Sequence, residues 1–149
     1  MRFPLIFIFG TFLLISLISA KSFALCVQYD EAKLRKGPGL DWPITWEVIR
    51  YFPLKKMSKQ KGWYRVQDLH GDYHWVREDI VTSQFECATV KEEFANLRTG
   101  PGTNFAAVPA GKGERYMSFR VVARKGVWVK VEDSEGDQAW VKSDLLFIQ

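Results

Sequence analysis

A six-residue pattern, Leu-Arg-x-Gly-Pro-Gly, occurs twice in this chain of 149 residues: at Leu34 to Gly39, and 63 positions later at Leu97 to Gly102. The likeness continues downstream. "GWYRVQDLHGDYHWV" (Gly62 to Val76) aligns with "VWVKVEDSEGDQAWV" (Val127 to Val141) at an offset of 65. The pairs include Trp63 with Trp128, Val66 with Val131, Asp68 with Asp133, Gly71 with Gly136 and Trp75 with Trp140. The second copy is therefore two residues longer between its turn and its hairpin. A period of this size means that one supersecondary unit was duplicated. A unit of roughly 60 residues is small, but it can enclose a core of its own. The expected boundaries are 25–84 for the first unit and 85–149 for the second.

Each unit reads as β. Tyr64-Arg65-Val66 and Val129-Lys130-Val131 alternate apolar and polar with period two. The connections "DLHGD" and "DSEGD" have the Asp/Gly chemistry of hairpin loops. "TWEVIRY" and "RYMSFRVVARK" are rich in β-branched and aromatic residues. Beyond the leader, no segment has a capped helical period. Short strands at even spacing predict an all-β chain of two small barrels. Gly-Pro-Gly itself stops a strand: Pro lacks a donor, and Gly accepts φ > 0. Leu34 and Leu97 are expected to point into the cores, with Arg35 and Arg98 facing outward or bracing the loop.

The first 24 residues have the pattern of a secretory leader. Arg2 precedes an apolar run from Phe3 to Ile18, and Ser22-Phe23-Ala24 supplies small residues at a cleavage position. The run is shorter than the roughly 20 residues that span a bilayer. The mature form is therefore expected to have no stable membrane span and to be exported, periplasmic or secreted. Leu25 in front of Cys26 argues against a lipid-bearing cysteine. Without Arg2 and Lys21 the chain keeps 19 basic and 17 acidic residues, a net charge of +2. That balance gives no field directed at nucleic acid. The two cysteines, Cys26 and Cys87, stand at equivalent places ahead of the two turns. In an oxidising compartment a bridge between them is expected, with free thiols or an intermolecular bond as the alternatives.

Leu-Arg-x-Gly-Pro-Gly, a Gly-Trp-x-x-Val strand, an Asp/Gly hairpin and then Trp-Val together resemble the bacterial SH3-like (SH3b) domain. "WPITW", Trp42 to Trp46, is similar to a segment of some exported members with tandem copies. The resemblance covers the chain beyond its leader, twice. It implies two SH3-like β-barrels in tandem, and a groove between the long first loop and the hairpin loops that holds extended peptide. It also implies peptidoglycan stem or cross-bridge peptide as the ligand class. Two departures concern groove shape. His74 and Ala139 stand where the family usually has Gly before Trp-Val, and Val127 replaces the Gly that precedes the first copy's Trp.

Catalytic chemistry is sparse. The only histidines are His70 and His74, both at one hairpin, and neither cysteine sits where a papain-like nucleophile would. His70, His74, Asp68 and Asp72 can be drawn as a metal site, but turn chemistry already accounts for the aspartates. No cofactor or metal is expected, and the protein is read as a non-enzyme. Aromatic residues concentrate in the first copy: Trp42, Trp46, Trp63, Trp75, Tyr29, Tyr51, Tyr64 and Tyr73. Aromatic side chains with polar tips line recognition grooves, and they also fill small cores. Alternation puts Trp63 on the opposite face from Val66, hence outward. Trp42, Trp46, Trp63, Tyr73, Trp75 and Arg35 are the candidate ligand-binding residues. The basic run Arg50 to Lys61 is read as a solvated edge strand, where lysines block aggregation. The expected partner is cell-wall peptide or an envelope protein. The two functions to separate are a cell-envelope binding module and a protein-interaction adaptor or structural subunit.

Overall fold

The computed structural model describes residues 24–149. The expected leader lies outside the described residues, except for Ala24, which is the first residue of a strand. The first unit contains β1 (Ala24–Val27), β2 (Glu31–Arg35), β3 (Ile44–Ile49), β4 (Pro53–Gln60), β5 (Trp63–Gln67), β6 (Tyr73–Arg77) and β7 (Val81–Thr82). The second repeats it with β8 (Cys87–Val90), β9 (Phe94–Arg98), β10 (Ala107–Glu114), β11 (Ser118–Lys125), β12 (Trp128–Glu132), β13 (Gln138–Lys142) and β14 (Leu146–Ile148). A 3-10 turn precedes the last strand of each unit. The sheets run β3-β2-β6-β5-β4-β1-β7 and β10-β9-β13-β12-β11-β8-β14, the same order twice. All strand pairs are antiparallel, and no strand belongs to both sheets.

Each sheet curls around its own core. Leu34, Val48, Phe52, Leu54, Val66 and Val76 fill the first, with Tyr64 packed on its margin. Leu97, Phe119, Val129, Val131 and Val141 fill the second. Alternation does this directly: in β2, Ala32 and Leu34 are buried while Glu31 and Lys33 face solvent, and β9 repeats it with Ala95 and Leu97.

The Gly-Pro-Gly turn is explained by close approach and not by unusual dihedrals. None of Gly37, Gly39, Gly100 and Gly102 has positive φ, which corrects the expectation from sequence. A Cβ on Gly37 would lie 2.3 Å from the Trp42 ring, and one on Gly100 would lie 2.2 Å from Phe105. Glycine is required because an aromatic side chain five residues on lies against the backbone there. Arg35 Nη1 donates to the Trp42 carbonyl at 2.8 Å. Arg98 Nη1 donates to the carbonyls of Thr103 and Phe105 at 3.1 and 3.0 Å. The arginine of the motif thus braces the loop.

The two extra residues of the second copy lie within β10. Its register against β9 shifts between Ala107 and Lys112, and Gly111 there has φ 72°. A bulge absorbs an insertion without disturbing the strands beyond it. The basic run is an edge over part of its length. β4 pairs with β5 along its length but with β1 only at Pro53 to Lys55, so Lys56 to Gln60 have one side free, as expected for the basic residues. Only its distal half lacks a neighbour on one side. The edges are β3 and β7 in the first sheet, β10 and β14 in the second. A disulfide joins Cys26 at β1 to Cys87 at β8, with 6.0 Å between the Cα atoms. It ties the two units at the point where the chain passes from one to the other.

Candidate functional site

The candidate residues fall in three regions of the first barrel. The first is a groove of about 240 Å³ between the long first loop and the start of β5. Trp63 forms its base, with Leu40, Ala32 and Ile80 beside it and Lys33, Arg35, Arg77 and Glu31 around the rim. Trp63 is outside the main core cluster, as alternation predicts, but it is only 9% exposed. It is therefore a buried floor, whereas the sequence suggested an open face. Leu40, 64% exposed, is the loop residue that meets this groove. Trp42 instead lies on its own turn. Arg77 Nε donates to the Asp79 carboxylate at 2.5 Å, and that bond raises the pKa of the guanidinium above its ordinary value. Arginine is cationic at every physiological pH, and the pairing places a carboxylate beside that charge at the groove.

A second group lies on the outer face of the sheet. Trp75 is directly opposite Arg35 on one side and Arg65 on the other, so the three side chains share a face. The Arg65 guanidinium also sits 4.2 Å above the Tyr73 ring. The second barrel repeats the row as Arg98, Trp140 and Lys130. Because both copies have it, the row is a property of the shared unit.

The third region is where the barrels meet, and here the copies differ. Trp46 packs edge-on against Phe52 at 5.0 Å and against Tyr116 of the second barrel at 5.2 Å. His70 Nε2 and the Tyr116 hydroxyl share a hydrogen bond of 3.0 Å. A cleft of about 520 Å³ opens on this contact, with Trp46, Glu47 and Ile49 on one wall and Lys112, Glu114, Arg115 and Tyr116 on the other. Beside it, a depression of about 310 Å³ is lined by Thr45, Asp68, His70, Asp72 and His74 together with the same two rings.

The depression contains a hydrogen-bonded chain. Asp68 Oδ1 accepts from the His70 and Asp72 backbone N–H groups at 2.8 and 3.0 Å. Its Oδ2 pairs with His74 Nε2 at 2.9 Å, and His74 Nδ1 pairs with Thr45 Oγ1 at 2.7 Å. A carboxylate only accepts, so Nε2 carries a proton, and in the neutral imidazole Nδ1 then accepts the Thr45 hydroxyl. His74 and Asp68 are both buried. Among the described residues no buried side-chain polar atom lacks a partner. In the second barrel, Asp133 makes the same two turn bonds, to Glu135 and Asp137. Val108 and Ala139 stand in place of Thr45 and His74, and a small hollow of about 200 Å³ is left there. Turn chemistry accounts for the aspartate, as read from sequence; the histidine and threonine are additions of the first copy. Among the described residues no group of side chains is arranged to hold a metal ion.

Of the candidate residues, the structure brings Trp63 and Arg35 together at the groove, and Arg35 and Trp75 together on the outer face, with Tyr73 beside Arg65. Trp42 is tied to Arg35 through the loop, and Trp46 stands apart at the junction. Sequence reasoning did not select Leu40, Thr45 or Tyr116. His74 carried a signal, since it replaces a glycine of the resembling family. Tyr116 carried none, because its role depends on how one barrel is set against the other.

The chain is 24% identical to the "Putative N-acetylmuramoyl-L-alanine amidase YrvJ" of Bacillus subtilis (strain 168), over 94% of its own length and 28% of that protein's. It thus spans less than a third of that curated relative. Among solved structures it is similar to an NlpC/P60 family protein from Bacillus cereus ATCC 10987, at 11% identity and a TM-score of 0.40, covering 85% of this chain and 56% of that one. NlpC1 from Trichomonas vaginalis is similar at 12% identity and a TM-score of 0.37, covering 83% and 45%. The family model for the bacterial SH3 domain matches residues 28–81 and again 91–147. The chain belongs to the bacterial SH3 domain family and carries two copies of that domain in tandem.

Proposed function

We propose that this protein is a non-enzymatic binding module of the cell envelope that recognises peptidoglycan peptide. The observation that carries the reading is the groove of the first barrel: an aromatic floor, Trp63, an exposed apolar side chain, Leu40, at its lip, and around it Lys33, Arg35 and Arg77 against the single acid Glu31. Apolar bases with cationic rims accept short peptides that end in, or carry, carboxylates. The bacterial SH3 membership and the likeness to a protein named as an N-acetylmuramoyl-L-alanine amidase support an envelope location and a cell-wall ligand. A location outside the cytoplasm also suits the disulfide. Among the described residues no helix is long and apolar enough to cross a membrane.

The non-enzymatic part has its own support. Thr45, His74 and Asp68 form a hydroxyl–imidazole–carboxylate chain, yet Asp68 is spent on a hairpin turn that the second copy makes without a histidine. The chain is read as a clamp between β3 and the hairpin. The test is co-sedimentation with purified sacculi. The parent protein is expected in the pellet, and a Lys33→Gln/Arg77→Gln variant is expected to be retained at least tenfold less while keeping its melting temperature. A parent protein that stays in the supernatant at every concentration tried refutes the proposal.

A further inference from the structure

We propose that a hollow in the second barrel is a binding site for a small organic cation that donates an N–H. The first barrel shows what fills the same place there. The two copies make the same hairpin turn and differ on its inner side. In the first, Asp68 Oδ1 accepts the backbone N–H groups of the turn, and Oδ2 takes the His74 imidazole at 2.9 Å. In the second, Asp133 Oδ1 makes the same turn bonds at 2.9 and 3.0 Å. Those bonds fix the carboxylate, so its Oδ2 is presented as in the first barrel. No imidazole meets it, because Ala139 stands at the place of His74 and Val108 at that of Thr45. Among the described residues Asp133 Oδ2 has no hydrogen-bond partner.

The space of the missing ring remains open. It is a hollow of about 200 Å³, walled by Leu97, Val108, Met117, Phe119 and Ala139, with Asp133 and Asp137 on the hairpin side. Leu97 and Phe119 belong to the core of the barrel, so the hollow reaches down to core side chains. No basic side chain lines it, and the hairpin adds Glu135 where the first copy has His70. One side is apolar and the other anionic. Water suits such a place poorly, since a buried water makes about three hydrogen bonds and the carboxylates stand on one side only. A cation that donates to the carboxylate and lays a hydrocarbon part on the apolar wall satisfies both. The hollow is smaller than the roughly 300–1,000 Å³ of drug-sized ligand sites. Its occupant is therefore a single imidazolium or short alkylammonium group, free or at the end of a side chain. The inference goes beyond the groove reading and uses none of its residues.

The probe is 4-methylimidazole, the side chain of the missing histidine as a free molecule. It is titrated into the disulfide-bonded protein at mildly acid pH, where the ring carries its second proton, and followed by amide chemical shifts. The amides of Val108, Asp133 and Ala139 should move saturably. Toluene, of like size but without an N–H, should bind at least tenfold more weakly. Asp133→Asn keeps an oxygen for the turn and presents an amide N–H to the hollow, so it should weaken binding at least tenfold. Val108→Thr with Ala139→His gives the second barrel the pair that the first already folds with, and should fill the hollow and abolish binding. Nα-acetylhistidine amide separates the two sources. Binding as tight as that of 4-methylimidazole assigns the site to a histidine side chain of a protein, and binding of 4-methylimidazole alone assigns it to a free small cation. No saturable shift at Val108 and Ala139, equal binding of toluene, or binding that survives either variant overturns the inference. None of these outcomes bears on retention by sacculi, so the groove reading stands or falls separately.

Discussion

Gly37 and Gly39 look alike in the sequence, and both are explained there by the freedom of glycine. The structure separates them. Gly37 has no room for a side chain beneath Trp42, while a Cβ on Gly39 would make ordinary contact at 3.4 Å. Neither has positive φ. Gly37→Ala should therefore push the indole off the turn and cost about 1–3 kcal/mol, the range for overpacking. Gly39→Ala should be neutral or stabilise by up to about 1 kcal/mol, because it restricts the unfolded chain. Paired thermal melts with tryptophan fluorescence check this. Equal melting of the two variants would show that the ring does not hold the turn. His74 allows a similar comparison, because the second copy shows what its absence looks like. His74→Ala leaves Asp68 Oδ2 buried without its partner, which costs about 1–3 kcal/mol. Adding Thr45→Val, to copy the second barrel's Val108 and Ala139, should cost little more, since Thr45 is exposed. Neither variant should change the rate of p-nitrophenyl acetate hydrolysis relative to the parent. A His74-dependent ester hydrolysis would contradict the non-enzymatic reading. At this scale the sequence placed Leu34, Leu97, Val66 and Val131 correctly in the cores, because period two fixes a face. It could not say that Trp63 is covered, because covering is done by a loop and not by the strand.

Strands and hairpins were the most legible level. The β5–β6 and β12–β13 hairpins follow from Asp-x-x-Gly-Asp, and in both the aspartate accepts from the same two backbone N–H groups. Gly71 and Gly136 supply the positive φ that closes them, at 88° and 92°. The hairpins differ in how much rests on them. Asp68 also carries His74, and through it β3; Asp133 carries only its own turn. Asp68→Ala should therefore lower the melting temperature of the protein clearly more than Asp133→Ala. The reverse order, or equal losses, would mean that the His74 chain adds nothing to the first barrel. What the strands did not reveal was their neighbours. β4 reads as an edge because its residues are basic, and beyond Lys55 it is one; its first three residues are inner, between β1 and β5. Pairing order depends on which segments return to which, and no single strand encodes that. The bulge in β10 is legible only as two surplus residues; where the strand discards them is settled by Gly111.

At the scale of the whole molecule, duplication produces something that neither copy contains. The cleft takes one wall from each barrel, and its two rings, Trp46 and Tyr116, come from non-equivalent positions in the two copies. The sequence suggested two grooves because it shows two similar units; the junction is invisible to it, since it depends on their mutual setting. The Cys26–Cys87 bridge crosses from one unit to the other. For a single cooperative fold, a crosslink closing 61 residues would add about 4 kcal/mol by the chain-entropy model. Here the closed loop contains most of one barrel, which has its own core and needs no crosslink to enclose it. The bridge should therefore act on the junction more than on either barrel. A Cys26→Ser/Cys87→Ser variant should keep the strand signal in circular dichroism and melt within a few degrees of the parent. Its radius of gyration in solution scattering should rise as the barrels part. Retention on sacculi through the groove of the first barrel should persist. Cooperative unfolding at ambient temperature would show that the barrels depend on the bridge for their own stability. An unchanged radius of gyration in a folded variant would show that the aromatic contact between Trp46 and Tyr116 holds the junction without it.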